Sequence, residues 1–163
     1  MLAVTITGHK KSGKTALLAL VAEALERKGK RVAVVKYSSH PVERGNTDAF
    51  WLMRPGRTVA NVSPGETAVF WPEELSLETI VSHVNADVLL LEGGDAPTSV
   101  PRVVCFREGE DADLSFLPDS DALVVLATYG ETPSSLAVPH YTEIDPSAGE
   151  KLAALILEKG VAI

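Results

Sequence analysis

Two glycines, a lysine and a hydroxyl stand at fixed spacing in Gly8-His9-Lys10-Lys11-Ser12-Gly13-Lys14-Thr15, the G-x-x-x-x-G-K-T pattern of a phosphate loop. Glycine lets the main chain curl around a phosphate with no Cβ in the way. The start of a helix adds unpaired N–H groups and a partial positive charge. In that chemistry Lys14 reaches the β and γ phosphates, the Thr15 hydroxyl ligates Mg²⁺, and the amides of residues 11–15 cradle the β phosphate. The expected nucleotide contacts run from Gly8, His9, Lys10 and Lys11 through Ser12, Gly13, Lys14 and Thr15 to Ala16.

Two more groups belong with the loop if the sheet is parallel and open, because such sheets bind ligands outside the carboxyl ends of their strands. Glu92 closes the apolar run Asp87-Val88-Leu89-Leu90-Leu91-Glu92 and precedes Gly93-Gly94. A carboxylate there can hold a Mg²⁺-bound water or polarise an attacking water, so Lys14 and Glu92 are the expected catalytic groups, with Thr15 and Glu92 on the metal. Gly93 is expected to face the nucleotide from the same turn. Lys36 ends a second apolar run and can face phosphate, as can His40, whereas Asp87 sits at the opposite end of its strand and reads as structural.

The remaining reactive side chains point to no other chemistry. His9, His83 and His140 lack metal-ligand spacing with one another or with the lone Cys105. Cys105 lies in Val103-Val104-Cys105-Phe106 and reads as core, and no G-x-S-x-G elbow surrounds Ser12. Trp51 and Trp71 read as core or interface residues.

The elements must arrive in the order strand, loop, helix. Leu2, Val4 and Ile6 form a β-like run, and Leu17, Leu18, Val21, Ala24 and Leu25 recur at helical spacing. The helix is expected to end near Lys28-Gly29. Residues 31–36 then read as a second buried strand, completing a right-handed βαβ unit. Residues 37–56 break into a polar segment, a place for a ligand-sensing loop, with residues 48–53 as a short helix. Residues 58–62 and 67–71 read as two strands about the turn Ser63-Pro64-Gly65. Ser76 is a candidate N-cap for a helix presenting Leu77, Ile80, Val81 and Val84 on one face. Residues 87–92, a nearly pure apolar run ending in a carboxylate, suit the centre of a parallel sheet. Residues 103–106 and 122–127 supply further strands, and Asp145-Pro146 opens a last helix carrying Leu152, Leu155 and Ile156 before Gly160. The predicted fold is α/β, a three-layer phosphate-loop architecture with a mostly parallel central sheet flanked by helices.

At 163 residues the chain is most simply one domain, able to bury roughly 68–70% of its unfolded surface. A net charge of −7 opposes a sequence-independent grip on nucleic acid or on an acidic membrane. The chain runs directly into Leu2-Ala3-Val4-Thr5-Ile6 with no basic region or cleavage site, and no apolar stretch nears about 18 residues. With its single cysteine, this predicts a cytoplasmic protein.

Together these segments resemble the molybdopterin-guanine dinucleotide biosynthesis protein B family, MobB, over most of the chain. The family loop G-x-K-N-S-G-K-T is matched except for Lys11 in place of Asn. Its I-K-H-x-x-H is echoed by Val35-Lys36-Tyr37-Ser38-Ser39-His40. Its D-[ST]-x-R-x-x-x-A-G-A segment survives as Asp48 and Gly56, with Trp51 where the Arg would be. D-x-x-x-V-E-G-[FY]-K becomes residues 87–92 followed by Gly93-Gly94-Asp95, and P-K-I becomes Pro101-Arg102-Val103. The resemblance implies a divergent, GTP-binding, dimeric accessory protein with weak GTP hydrolysis, working beside the nucleotidyltransferase that attaches GMP to molybdopterin. It also implies a second Mg²⁺ contact from Asp48, otherwise a loop carboxylate.

The guanine-reading N-K-x-D motif is absent, so GTP over ATP rests on the resemblance alone. A small-molecule kinase or ligase of the same fold needs an Arg-rich lid, and its candidate stretch, residues 108–113, is acidic instead. A metal-delivery GTPase needs Cys or His clusters that are missing. A non-catalytic nucleotide-binding adaptor would keep the loop without turnover.

Overall fold

A computed structural model describes residues 1–38, 51–93, 97, 99–106, 125–131 and 137–163. His40, Asp48, Gly94, Asp95 and the acidic residues 108–113 lie outside these. The chain divides into two compact units, one of Met1–Ser38 with Ala86–Ile163 and one of Ser39–Asn85.

The first unit holds a seven-stranded sheet in the order β2-β5-β1-β6-β7-β8, from β1 (Leu2–Gly8), β2 (Val32–Lys36), β5 (Val88–Glu92), β6 (Arg102–Cys105), β7 (Val125–Tyr129) and β8 (His140–Tyr141). All these neighbours pair in parallel. The seventh strand, β9 (Val161–Ala162), pairs antiparallel with the start of β1. The mostly parallel α/β class anticipated above is what the chain adopts.

Helix α1 (Lys14–Arg27) and a C-terminal helix (Pro146–Lys159) pack on each other and on the sheet. Val4 and Ile6 of β1, Val88 and Leu90 of β5 and Val103 of β6 meet Leu17, Val21, Leu25, Leu152 and Ile156 in one core. Each such side chain, fully buried, contributes about 1.5–3 kcal/mol from hydrophobic transfer. Val88, Leu89, Leu90 and Leu91 are all inaccessible, the signature of a strand covered on both faces.

The helix ends follow their capping residues. Gly29 takes φ +74° just past α1, and the Lys30 amide returns to the Leu25 carbonyl at 3.1 Å. Asp145 accepts from the Ala148 amide at 2.7 Å, Pro146 opens the C-terminal helix and Gly160 closes it. Glu150 ties that helix to α1 through Arg27 at 3.0 Å and Lys28 at 2.7 Å.

In the second unit, β3 (Val59–Ser63) and β4 (Glu66–Phe70) form their own antiparallel hairpin about Pro64-Gly65. Helix α2 (Leu77–Ser82) follows, which makes the C-terminal helix of the first unit α3. Ser76 caps α2 as expected, accepting from the Thr79 amide at 3.2 Å, and Trp71 stacks on His83 with ring centroids 5.4 Å apart.

Three expectations change. β2 is an edge strand with Val34 49% exposed, not a buried one, because an apolar run reads alike in the middle of a sheet and at its rim. α2 stops at Ser82, so Val84 falls beyond it and the apolar face is not buried. The Ser82 hydroxyl donates to the Thr79 carbonyl at 2.7 Å, competing with continuation of the helical ladder. Of the short helix expected over residues 48–53, Trp51 and Leu52 are helical, Met53 is not, and the rest is outside the described residues.

Candidate nucleotide site

The loop is built by the exit of β1 and the entry of α1. Gly8 is in register with Cys105 of β6 and takes φ +135°, and a Cβ there would fall 1.9 Å from the Cys105 carbonyl oxygen. Only glycine lets β1 leave the sheet this close to its neighbour. The Ser12 amide donates back to the His9 carbonyl at 3.3 Å, and Lys11 and Gly13 both take positive φ. No side chain caps α1 at Gly13, and its first bond runs from the Leu17 amide to the Gly13 carbonyl at 3.0 Å. The amides of residues 14–16 thus have no acceptor within the helix, an arrangement suited to an anion. The Ser12 hydroxyl is buried without a hydrogen-bond partner, a polar atom that an anionic guest would satisfy.

Lysines and a carboxylate stand around this cradle. Lys10 and Lys11 are exposed, and the Lys14 ammonium folds back to donate to the His9 carbonyl. The carboxylate is that of Glu92, 6% exposed at the end of β5. In the parallel register Glu92 stands between Ile6 of β1 and Lys36 of β2, which puts the Lys36 and Glu92 side chains on one face. Glu92 Oε1 accepts from Thr15 Oγ1 at 2.8 Å and from Lys36 Nζ at 3.0 Å, while Lys36 Nζ lies 3.4 Å from Thr15 Oγ1.

Thr15, Lys36 and Glu92, drawn from three elements far apart in sequence, are therefore in direct contact. Gly93 follows Glu92, and its amide is engaged with the Ile6 carbonyl at 3.3 Å. Ala16 is exposed in the first turn of α1. A hydroxyl beside a carboxylate is a hard-oxygen donor pair of the kind Mg²⁺ takes together with phosphate oxygens and waters. Among the described residues no group of three His, Cys, Asp or Glu gathers for a metal held by protein alone.

Sequence reasoning missed a cavity of about 250 Å³ beside the loop, walled by Ser12, Gly13, Phe106, Tyr129, Glu131 and Ile144 among others. Its wall comes from the ends of β6 and β7 and the stretch after β8. The available signal was topological, since parallel strands deliver those ends to the same edge as the loop.

Away from the loop, residues read as structural behave so. Asp87 accepts from the Arg31 amide at 2.9 Å, from Nε at 3.1 Å and from Nη2 at 2.7 Å. These hydrogen bonds hold its carboxyl well below the usual carboxylate range. Burial pushes the Cys105 thiol up to about 12, leaving it protonated and inert.

Residues 3–129 match the family model described as molybdopterin guanine dinucleotide synthesis protein B. Among solved structures, a MobB protein homolog from Bacillus stearothermophilus is 22% identical, with 97% of each chain covered and a TM-score of 0.67. MobB of Bacillus subtilis is 20% identical, with 95% of this chain and 98% of that one covered and a TM-score of 0.73. At these identities the likeness to the solved structures is one of fold. No curated protein sequence matches the chain. No helix among the described residues is long and apolar enough to cross a membrane.

Proposed function

Since this chain belongs to the molybdopterin guanine dinucleotide synthesis protein B family, we propose that it is a GTP-binding accessory protein of molybdenum-cofactor biosynthesis with slow, Mg²⁺-dependent GTP hydrolysis. The observation that carries this reading is the Thr15–Glu92 contact at 2.8 Å beside an uncapped helix start. The orphaned Ser12 hydroxyl and the glycine-lined curl fit a phosphate, and the two oxygen donors fit a Mg²⁺ ion. Bound there, Mg²⁺ would neutralise charge on the β and γ phosphates.

In this reading the residues divide the work by position. The amides of residues 11–15 hold the β phosphate, with Gly8, His9 and Lys10 shaping the loop and Ala16 extending the contact along α1. Lys14 exchanges the His9 carbonyl for phosphate oxygens, and Thr15 and Glu92 serve the metal; the second Mg²⁺ contact that the resemblance implies for Asp48 falls outside the described residues. Glu92 is also the group placed to orient a water. The chain contains no glutamine, the residue that commonly positions water in phosphate-loop GTPases, which agrees with slow turnover. Preference for GTP over ATP rests on the resemblance to the family alone.

The partner is the nucleotidyltransferase that attaches GMP to molybdopterin, and the compartment is the cytoplasm. Homodimer formation is supported by the β3–β4 hairpin, where Val62 is 74% and Val69 38% exposed, and by Trp71 just after it, 38% exposed. An isolated two-stranded hairpin is marginal in water and gains from pairing.

A thermal-shift panel of GTP, ATP and their diphosphates, with and without Mg²⁺, tests the assignment. GTP with Mg²⁺ is expected to raise Tm most. A rise with ATP alone would move the protein to the ATP-dependent kinases and ligases, and no rise with any nucleotide would overturn the reading.

A further inference from the structure

Lys36 touches both oxygen donors assigned above to the metal. Its Nζ lies 3.0 Å from Glu92 Oε1 and 3.4 Å from Thr15 Oγ1, and those two oxygens are themselves 2.8 Å apart. From this geometry we propose that Lys36 is a tethered cation that competes with Mg²⁺ for Glu92 and Thr15. The site then binds nucleoside triphosphate without metal and takes up metal only together with nucleotide. The inference rests on the nucleotide-binding reading and adds a regulatory role for one residue within it.

The Glu92 side chain is 7% exposed, and a carboxylate so shielded needs a counter-charge. Lys36 supplies it, while the Lys14 ammonium is occupied by the His9 carbonyl. Lys36 itself is 53% exposed and ends an edge strand. Its backbone is fixed by register opposite Glu92 and its head is free to swing on a four-carbon stem. The partner that must persist is therefore buried, and the one that must leave is not.

Mg²⁺ binds oxygen at about 2.0–2.1 Å and tolerates little departure from octahedral geometry. An ammonium within 3.4 Å of both donor oxygens would stand against a doubly charged ion at contact distance, so the two cations exclude each other. In nucleotide-free protein the ammonium has Glu92 without competition from phosphate-borne metal. When a triphosphate arrives carrying Mg²⁺, its oxygens add the ligands that the protein pair lacks, and the ammonium is displaced.

The test is a set of Kd values for fluorescent GTP and ATP analogues in EDTA and in excess Mg²⁺, for the wild type, Lys36→Gln and Lys36→Arg. Thermal melting confirms that each variant is folded. Lys36→Gln is expected to lose about tenfold or more in EDTA, because the buried Glu92 carboxylate is then left without its counter-charge beside the incoming phosphates, and far less in Mg²⁺. The enhancement of binding by Mg²⁺ therefore grows in the variant, and Lys36→Arg retains metal-free binding. In a second measurement without nucleotide, Mn²⁺ followed by electron paramagnetic resonance binds Lys36→Gln more tightly than the wild type. An equal loss with and without Mg²⁺, or unchanged Mn²⁺ affinity, overturns the competition while leaving the nucleotide site intact. No binding of either analogue by the wild type overturns the nucleotide reading, and the competition with it.

Discussion

Lys36 and Glu92 are direct lateral partners in the parallel β2–β5 pair, and their side chains meet at 3.0 Å where the strands end. The same carboxylate oxygen receives the Thr15 hydroxyl from the first turn of α1. One acid thus links β2, β5 and α1. Glu92→Gln keeps the shape and the register while removing the charge. The folded protein should persist, and the part of nucleotide affinity that depends on Mg²⁺ should fall by about tenfold or more. Titrating a fluorescent nucleotide at several Mg²⁺ concentrations checks this; an undiminished Mg²⁺ response would take Glu92 out of the metal site.

Lys14 donates to the His9 carbonyl across the loop and is the cation nearest the helix-start amides by sequence. Lys14→Ala removes one or more charge-assisted bonds of about 1.5–3 kcal/mol each. Nucleotide affinity is expected to drop at least about tenfold, and the rise in Tm with GTP and Mg²⁺ should vanish. Calorimetric titration of the variant against the wild type measures the loss directly.

Gly8→Ala tests whether the exit of β1 is as tight as its geometry indicates. The new methyl would meet the Cys105 backbone oxygen at 1.9 Å in a φ +135° conformation, and backbone cannot swing aside as a side chain can. The cost is expected to be at least about 2 kcal/mol, combining strain with displacement of β6. Urea denaturation would show it as a lower midpoint, and a midpoint matching the wild type would mean that the loop relaxes freely.

How much of this was written in the sequence depends on the range of the signal. The loop, the span of α1 and the Ser76 and Asp145 caps were legible because each is fixed by residues within about one turn. The exposed position of β2 was not, since Val32-Ala33-Val34-Val35 reads as equally apolar at the centre or the rim. The two-residue strands β8 and β9 are too short to carry periodicity. Glu92 and Lys36 could each be placed at a strand end, but their contact depends on register between strands 56 residues apart. The cavity wall at Phe106, Tyr129 and Ile144 was hidden for the same reason.

Cys105 offers a simple check on the core. Burial holds its thiol near 12, and β6 is covered throughout. A thiol reagent at pH 8 should leave the native protein essentially unlabelled and modify it fully in denaturant. Rapid labelling without denaturant would show that β6 opens readily or that the thiol is not enclosed.

The clearest pH dependence comes from the far end of the sheet, where Arg31 clasps Asp87. Hydrogen bonds from the guanidinium and then from the Arg31 amide keep the Asp87 carboxyl well below its unfolded value, which lies near about 3.9. A group whose pKa is depressed by folding makes its full contribution to stability only while it is ionised in both states. Its contribution is therefore complete above about pH 4 to 5 and is lost as pH falls toward the folded value. Glu150, lowered by its hydrogen bonds from Lys28 and then Arg27, acts in the same direction. Asp87→Asn should be less stable than the wild type by a constant margin from about pH 5 to 8, and that margin should close as both are acidified below about pH 4. Urea unfolding at a series of pH values measures the margin; one that stays constant down to strong acid would show that the Arg31–Asp87 clasp contributes through shape and not through charge.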